Sequence, residues 1–265
     1  MPEGELLDWD TGDVMTPKFL NEDWLSYRLG IFEETCVPSV RNQSDPDFLW
    51  LVGIDARVPA KFRRRLETAV EGVGHVVVPA PGENFADCAL SGFGLGEEFI
   101  SARIDSDDAI TREFVRLSKN LVRRGQALSL QHGLQLNDSP RSLFHRFSKS
   151  NSFSLLWTVS GVNVLQLGRH KQIGDQVKIT NRLTWKPLYL VYVHNANTSR
   201  YAPRGLPVWS FQRSLRSFRV NNSLLPNLGD QLGLCRRNLG GLFDVALPGL
   251  SKTLARRRRT RVRSL

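Results

Sequence analysis

Cysteine is scarce in this chain, and long apolar runs are lacking. The 265 residues include three widely spaced cysteines, Cys36, Cys88 and Cys235, with no Cys-x-x-Cys pair. This spacing argues against a disulfide framework and against a zinc ribbon. There is no apolar run of 18 or more residues and no basic and apolar leader, so neither a membrane-spanning helix nor a secretion signal is predicted. We therefore expect a cytoplasmic protein.

Glycine-rich phosphate loops are lacking as well. The sequence contains neither a Gly-x-Gly-x-x-Gly turn after a first strand nor a Gly-x-x-x-x-Gly-Lys-Ser/Thr loop. These two absences argue against dinucleotide-binding proteins and against P-loop nucleotidases. Any phosphate that binds must then be held by a metal ion and by basic side chains.

Acidic residues are scarce in the last third of the chain. Residues 176–265 hold 2 acids against 17 bases, whereas residues 1–50 hold 11 acids against 3 bases. The Arg-rich run 256–263 is too charged to bury and is predicted to be a solvated tail. The functional alternative is attraction of this tail to anionic lipid at the inner membrane face, or to nucleic acid. Nucleic acid is the less favoured partner, because no aromatic residues for base stacking are interleaved with the arginines.

The hydrophobic pattern predicts an α/β protein. Strands are predicted over the apolar segments 48–54, 75–78, 99–104, 126–131, 153–159 and 188–194. Helices are predicted from Asn21 to just before Pro38, from Pro59 to Gly72, and over 109–124. The stretches 79–96, 132–150 and 160–186 have no clear period and are interpreted as irregular connections. The predicted organisation is a loose lead-in over 1–20, one α/β domain over 21–225, and a basic C-terminal extension and tail over 226–265.

The segment 102–110 is the most informative part of the chain, because it carries Asp105, Asp107 and Asp108 between an apolar stretch and a helical pattern. Ligands bind at the carboxyl ends of strands in α/β sheets, and Asp-x-Asp offers oxygen ligands to Mg²⁺ or Mn²⁺. The alternative is that one acid caps the helix and the others are solvated. For so short a motif taken alone the alternative is favoured, so the rest of the chain has to decide.

Two further segments carry a resemblance to a known family. The first begins with Trp24, Arg28, Phe32 and Glu33 and continues through 36–40, Gln43 and 47–55; the second comprises 151–155 and 170–197. These residues resemble the putative rhamnosyl transferase family over roughly residues 22–200. That family is similar to the nucleotide-sugar glycosyltransferases of the GT-A fold. The resemblance implies a GT-A-like nucleotide-binding sheet flanked by helices, with a mixed β extension.

The resemblance also implies a metal site. Asp105 and Asp107 are expected to bind a divalent cation, Mn²⁺ or Mg²⁺, that bridges the diphosphate of a nucleotide sugar and stabilises the leaving nucleotide. His194 follows a predicted strand and is expected to be a further metal ligand. The alternative for His194 is a histidine at a strand end that bonds to the backbone.

Contacts to the nucleotide sugar are implied for four residues, Asp55, Arg103, Asp105 and Asp108. Asp55 is expected to contact the nucleoside and Arg103 a phosphate. An arginine beside three acids can alternatively pair with them. Asp108 is expected to act from behind the metal ligands or to cap the following helix.

The chain departs from the family pattern at its start. Relatives begin with an apolar strand that carries an Arg-Phe pair just upstream of the first helix, and residues 1–20 contain no such strand. We therefore expect the first strand of the sheet to be missing.

A second departure concerns the catalytic base, which takes the proton from the acceptor hydroxyl in inverting enzymes. The family pattern has an acid where this chain has Trp157. The acids between residues 109 and 229 are Glu113, Asp138 and Asp175. Asp138 and Asp175 are weak candidates for the base, and the alternative is that both are solvated loop acids.

The function expected from these observations is a metal-dependent glycosyltransferase. It would move a sugar, with rhamnose suggested by the family, from a nucleotide-sugar donor to a hydroxyl of a glycan or lipid-linked acceptor. One alternative is a metal-dependent phosphohydrolase or nuclease, although that chemistry needs more converging acids. Another is a degenerate, non-catalytic binder.

Overall fold

The chain forms an α/β fold with mixed sheets and flanking helices. The computed structural model describes residues 6–7, 14–15, 21–80, 82–83, 85–147, 153–167, 173–195 and 205–237. The helices are α1 (Glu22–Glu34), α2 (Cys36–Arg41), α3 (Ala60–Val70), α4 (Phe85–Gly92), α5 (Phe114–Leu121), α6 (Ile173–Gln176), α7 (Phe211–Leu215) and α8 (Leu228–Arg237). The strands are β1 (Leu6–Leu7), β2 (Val14–Met15), β3 (Leu51–Gly53), β4 (His75–Val77), β5 (Phe99–Ala102), β6 (Ala109–Ile110), β7 (Ala127–Leu130), β8 (His132–Asn137), β9 (Ser142–Phe147), β10 (Ser154–Thr158), β11 (Ile179–Arg182) and β12 (Tyr189–Val193).

Two mixed sheets of four strands each make up most of the β structure in the described part of the chain. The first has the order β11, β7, β10, β5, with β10 antiparallel to both neighbours and β11 parallel to β7. The second has the order β6, β12, β8, β9, with β12 parallel to β8 and antiparallel to β6. Because β8 and β12 are parallel, their carboxyl ends meet at one edge, where Val193 lies opposite Asn137.

Helix α1 flanks the sheets and begins as the sequence predicts. The Asn21 side chain accepts hydrogen bonds from the backbone N–H groups of Asp23 and Trp24, which is the typical N-cap arrangement. Helix α3 buries Phe62, Leu66 and Val70, in agreement with their helical spacing.

An ion pair fixes α3 against α1. The Arg65 guanidinium donates two hydrogen bonds to the Glu33 carboxylate, at 2.7 and 2.6 Å. This fork holds the two helices together.

The largest core cluster joins the helices α1 to α3 to strands of both four-stranded sheets and contains a tight aromatic contact. Tyr189 is fully buried and stacks on Phe153, with ring centroids 4.4 Å apart. Gly133 on β8 lies directly under the Tyr189 ring, so close that an added Cβ would come within 2.6 Å of Tyr189 Cδ2. A side chain at position 133 would therefore push on the centre of the core.

Strand β9 is covered by the C-terminal part of the described chain. The buried Gln231 side chain on α8 accepts a hydrogen bond from the Leu143 N–H and donates one to the Leu143 carbonyl, both 2.8 Å long. Phe144 forms an isolated antiparallel bridge with Pro207.

Several predicted elements differ from the structure. The helix expected over 109–124 is shorter, because Ala109 and Ile110 pair with β12 as strand β6 and α5 begins at Phe114. The stretch 79–96 contains helix α4, and the stretch 160–186 contains α6 and β11. Within the stretch 132–150, expected to be irregular, residues 132–147 form the hairpin of β8 and β9, and 148–150 lie outside the described residues. The buried polar side chains of Gln135, Asn137 and Ser142 are joined by hydrogen bonds, which a polarity argument misses.

The strand predicted over 48–54 as buried is only half-buried at Leu51–Gly53, since β3 pairs with β4 alone among the described residues. The described parts of the lead-in, β1 and β2, pair with each other. The Arg-rich run 256–263 lies outside the described residues. Over the ranges that the structure covers, every helix is too short or too polar to span a bilayer.

Candidate active site

The acidic turn connects strands of the two different sheets. Arg103 to Asp108 lie between β5 and β6, and the Asp108 N–H donates to the Asp105 carbonyl at 3.0 Å. Helix α5 has Glu113 at its N-terminus, five residues after Asp108. The alternative in which one of these acids caps the helix is therefore wrong, and the turn belongs to a strand connection.

Asp107 and His194 come together at this turn. His194 follows β12, and its Nε2 atom lies 3.0 Å from Asp107 Oδ2. The Asp107 side chain is 8% exposed and the His194 side chain is fully buried. We call these two residues the Asp107/His194 pair.

Arg28 completes the contact from α1. Its Nη1 atom lies 2.9 Å from Asp107 Oδ2 and 2.9 Å from His194 Nε2, and its Nη2 atom donates to Ser106 Oγ at 2.7 Å. The guanidinium also lies over the Trp24 ring, 5.8 Å from the centroid. Arg28 therefore places a positive charge against the pair.

Two aromatic rings enclose His194. The Tyr27 ring meets it edge-on at 5.5 Å, with Tyr27 Oη 3.4 Å from His194 Nδ1. The Tyr192 ring lies 5.3 Å away. These contacts leave the Nε2 edge of the imidazole directed at Asp107.

The two adjacent aspartates have opposite electrostatic environments. Burial raises the pKa of Asp107, but the hydrogen bond to His194 and the charge of Arg28 outweigh burial and hold the pKa below its usual value. Asp108 is buried with its Oδ1 accepting from the Tyr192 N–H at 3.1 Å. Burial, followed by the charges of Asp107 and Asp105, raises the Asp108 pKa well above its usual value.

Asp105 and Arg103 pair with each other at the more open side of the turn. Arg103 Nε donates to Asp105 Oδ1 at 3.1 Å, and the Asp105 side chain is 46% exposed. The structure thus shows Arg103 paired with a neighbouring acid, which was the alternative to its expected contact with a phosphate. Both side chains lie beside the turn that carries Asp107.

The Asp107/His194 pair combines two donor types that divalent cations accept, a carboxylate and an imidazole. Asp107 Oδ2 and His194 Nε2 lie within hydrogen-bond distance, at 3.0 Å, and Asp105 stands on the same turn. Among the described residues, no three His, Cys, Asp or Glu side chains gather as a metal-binding group. Only the chemistry of these donors fits a metal ion.

Asp55 lies in a separate part of the structure. It follows β3, and its carboxylate accepts from the Arg57 backbone N–H at 2.8 Å and from Arg57 Nε at 3.0 Å. This arrangement is an Asx-turn reinforced by an ion pair. The predicted contact of Asp55 with a nucleoside stays a prediction.

The two candidate bases are placed differently. Asp138 directly follows β8, and its N–H donates to the Val193 carbonyl at 2.9 Å, so it lies at the same sheet edge as His194. Burial, followed by the charges of Asp138 and Tyr27 and by the hydrogen bond to Asp138, raises the Tyr192 pKa far above its usual value. Asp175 is exposed on α6, beside the small core cluster that includes Ile173.

Arg28, Tyr27 and Tyr192 were not assigned to the site from the sequence. Arg28 stands one helical turn after Trp24 in the segment that carries the family resemblance, which was the available signal. Its role could not be derived from that signal, because 78 residues separate it from Ser106 and 166 from His194. Only the packing of α1 against the ends of the strands brings them together.

One known protein family matches the part of the chain that carries this candidate site. The family model described as putative rhamnosyl transferase matches residues 16–204, which is more than half of the chain and includes Arg28, the acidic turn and His194. No curated protein gives a significant match.

Proposed function

Because the chain belongs to the putative rhamnosyl transferase family, we propose that it transfers a sugar from a nucleotide-sugar donor to a hydroxyl of a glycan or lipid-linked acceptor. The family name suggests that this sugar is rhamnose. We further propose that its sheets represent a GT-A-like fold with the catalytic domain over residues 21–225. The observation that carries the proposal is the contact between Asp107 and His194 at a turn between strands.

The donor would bind at the acidic turn. Asp105, Asp107 and His194 would hold a divalent cation, Mn²⁺ or Mg²⁺, whose chemistry is to neutralise the charge that develops on the departing nucleoside diphosphate. Arg103, which bonds to the half-exposed Asp105, would exchange that bond for one to a phosphate. The buried Asp108 side chain would hold the backbone of the turn in place by accepting a hydrogen bond from the Tyr192 N–H. Asp55 would contact the nucleoside.

Asp138 is the better candidate for the base. It lies at the sheet edge of His194, and its side chain is 28% exposed, so an acceptor hydroxyl could approach it. In the proposed step the hydroxyl oxygen attacks the anomeric carbon, the bond from that carbon to the diphosphate breaks, and the hydroxyl proton passes to the Asp138 carboxylate. The bond to Tyr192 orients the carboxylate.

The test is release of nucleoside diphosphate from a panel of nucleotide sugars in the presence of Mn²⁺, with and without glycan acceptors. Acceptor-dependent release is expected from the wild type and is expected to disappear in Asp107→Asn. Asp138→Asn should lower kcat by about 10² to 10⁴, the usual range for a lost general base, while Asp175→Asn should match the wild type.

Three results would contradict the proposal. Turnover of bare phosphodiesters without turnover of sugar nucleotides would favour a phosphohydrolase or nuclease. Binding of sugar nucleotides without turnover would favour a degenerate binder. Equal losses in Asp138→Asn and Asp175→Asn would remove Asp138 as the base.

The Arg-rich run 256–263 is the proposed contact with the inner membrane face. A cluster of arginines is attracted to anionic lipid by about 1 kcal/mol per residue near the surface. Co-sedimentation with phosphatidylserine vesicles, compared with phosphatidylcholine vesicles, is expected to detect this attraction. Equal sedimentation with both would contradict it.

A further inference from the structure

Arg28 occupies the position at which a cation would bind the Asp107/His194 pair. Its Nη1 atom is 2.9 Å from Asp107 Oδ2 and 2.9 Å from His194 Nε2, and those two atoms are 3.0 Å apart. The three atoms form a nearly equilateral triangle, with a positively charged group at one corner. A divalent ion held by both atoms would compete with this guanidinium for them.

The contacts converge on one ring nitrogen of His194. Arg28 Nη1 lies 2.9 Å and Asp107 Oδ2 lies 3.0 Å from His194 Nε2. A metal ion bound by His194 at this edge would need the lone pair of the same nitrogen, so the guanidinium and the metal would compete for it.

A guanidinium and a divalent ion cannot both stay in this position. Two cations a few ångströms apart repel strongly in a site where Asp107 is 8% exposed and His194 is buried. The Arg28 side chain can move toward solvent, because it is 20% exposed. Displacing it would break its bonds to the pair and to Ser106.

We propose that Arg28 is an internal cation of this site and competes with a divalent metal ion for Asp107 and His194. The inference rests on the proposed metal site. In the free protein Arg28 neutralises the Asp107 carboxylate and lowers its affinity for the metal. Once displaced, its guanidinium is free to bind an anion, and the diphosphate of the donor is the anion that arrives with the metal. Binding of metal and of donor are thereby coupled.

The experiment measures Mn²⁺ binding to the full chain by the EPR signal of free Mn²⁺, without nucleotide. Arg28→Gln is expected to bind Mn²⁺ at least about 10-fold tighter than the wild type, or about 1.4 kcal/mol. Arg65→Gln is the matched control, since it also removes an arginine that pairs with a carboxylate of α1 but lies away from the turn. The gain should vanish in the double variant Arg28→Gln with His194→Gln.

Two results would overturn the competition. They are unchanged or weaker Mn²⁺ binding in Arg28→Gln, and an equal gain in Arg65→Gln. Each is independent of nucleotide release, so failure of the competition is distinguishable from failure of the glycosyltransferase proposal.

Discussion

Asp107 and Asp108 are consecutive residues with different structural roles. Asp107 is the counter-charge of Arg28, whereas Asp108 accepts a backbone hydrogen bond and has its charge opposed by burial. Asp107→Asn should cost about 1.5 to 3 kcal/mol of unfolding free energy, because the hydrogen bond to a charged group is lost. Asp108→Asn keeps the Oδ1 acceptor and should change the unfolding free energy by less than about 1 kcal/mol.

Urea unfolding of both variants at neutral pH checks this difference. A larger cost for Asp108→Asn than for Asp107→Asn would contradict the assignment of the buried charge to Asp107.

Gly133 is required by the ring that packs on it. Gly133→Ala would drive a methyl group into Tyr189, which is held in place by Phe153, so we expect a loss of about 1 to 3 kcal/mol from overpacking. Gly30 in α1 is the matched control, since a Cβ there meets nothing within 4 Å. Gly30→Ala should gain about 0.5 to 1 kcal/mol from helix propensity. Thermal unfolding followed by circular dichroism tests the opposite signs of the two changes.

At the scale of elements, α2 is tied to the segment that follows the acidic turn. The amide of Gln43, just after α2, donates to the carbonyls of Ser39 and Thr111 and accepts from the Val115 N–H. Ser39 Oγ in turn accepts from the Ile110 N–H. Two residues that carried the family resemblance thus hold the strand and helix beyond the turn.

Gln43→Leu removes three hydrogen bonds and leaves backbone groups without these partners. We expect a loss of about 1 to 3 kcal/mol in unfolding free energy and a lower affinity for the sugar nucleotide. Asn120→Ala is the control, because its one bond, to the Arg116 carbonyl, is exposed on α5. Calorimetric titration with the sugar nucleotide found to turn over provides the affinity, and an equal effect of the two variants would argue against a linking role for Gln43.

Elements with a local amphipathic pattern were predictable from the sequence. Helix α3 is one, because Phe62, Leu66 and Val70 form a single apolar face. Strand β8 was missed because all six of its residues are buried, although it reads His-Gly-Leu-Gln-Leu-Asn. Its Gln135 and Asn137 bond to each other, and Asn137 also bonds to Ser142 on β9. Burial of polar groups that satisfy one another depends on tertiary partners and leaves no local signal.

The same distinction applies to the site. The acids at 105, 107 and 108 were noticed because they follow an apolar segment, and their expected role, like that of His194, came from the family resemblance. The contact of Asp107 with His194 joins residues 87 apart, and its geometry comes from β6 and β12 pairing in one sheet. Arg28 was not predicted as a site residue, because an arginine on a helix surface is usually solvated and makes little contribution to structure.

At the scale of the whole molecule, stability should depend on a histidine pair far from the acidic turn. His132 Nδ1 donates to the Thr184 carbonyl at 2.8 Å, and its Nε2 accepts from His145 Nδ1 at 3.1 Å. Burial lowers the pKa of His132, while burial and then the charge of His132 lower the pKa of His145. Both are neutral in the folded state at neutral pH.

Because the unfolded chain binds these protons more readily, stability is lost as the pH falls through the unfolded pKa of about 6.5. The double variant His132→Asn and His145→Asn should show a shallower loss of unfolding free energy between pH 7.5 and 5.5 than the wild type. Exposed His75→Asn should follow the wild-type curve. Urea unfolding across this pH range tests the comparison, and parallel curves for all three proteins would contradict it.

The two hydrogen bonds of Gln231 have a consequence for self-association. An outer strand of a sheet offers unpaired N–H and carbonyl groups to any other extended chain, which is how sheets grow into aggregates. At Leu143 both groups bond to one amide side chain, which imitates the partner residue of a neighbouring strand. The Leu143 carbonyl also accepts from the Val208 N–H, and the His145 N–H donates to the Leu206 carbonyl. Gln231 and the segment 206–208 together therefore occupy backbone groups of β9 that another chain could otherwise use to polymerise through that edge.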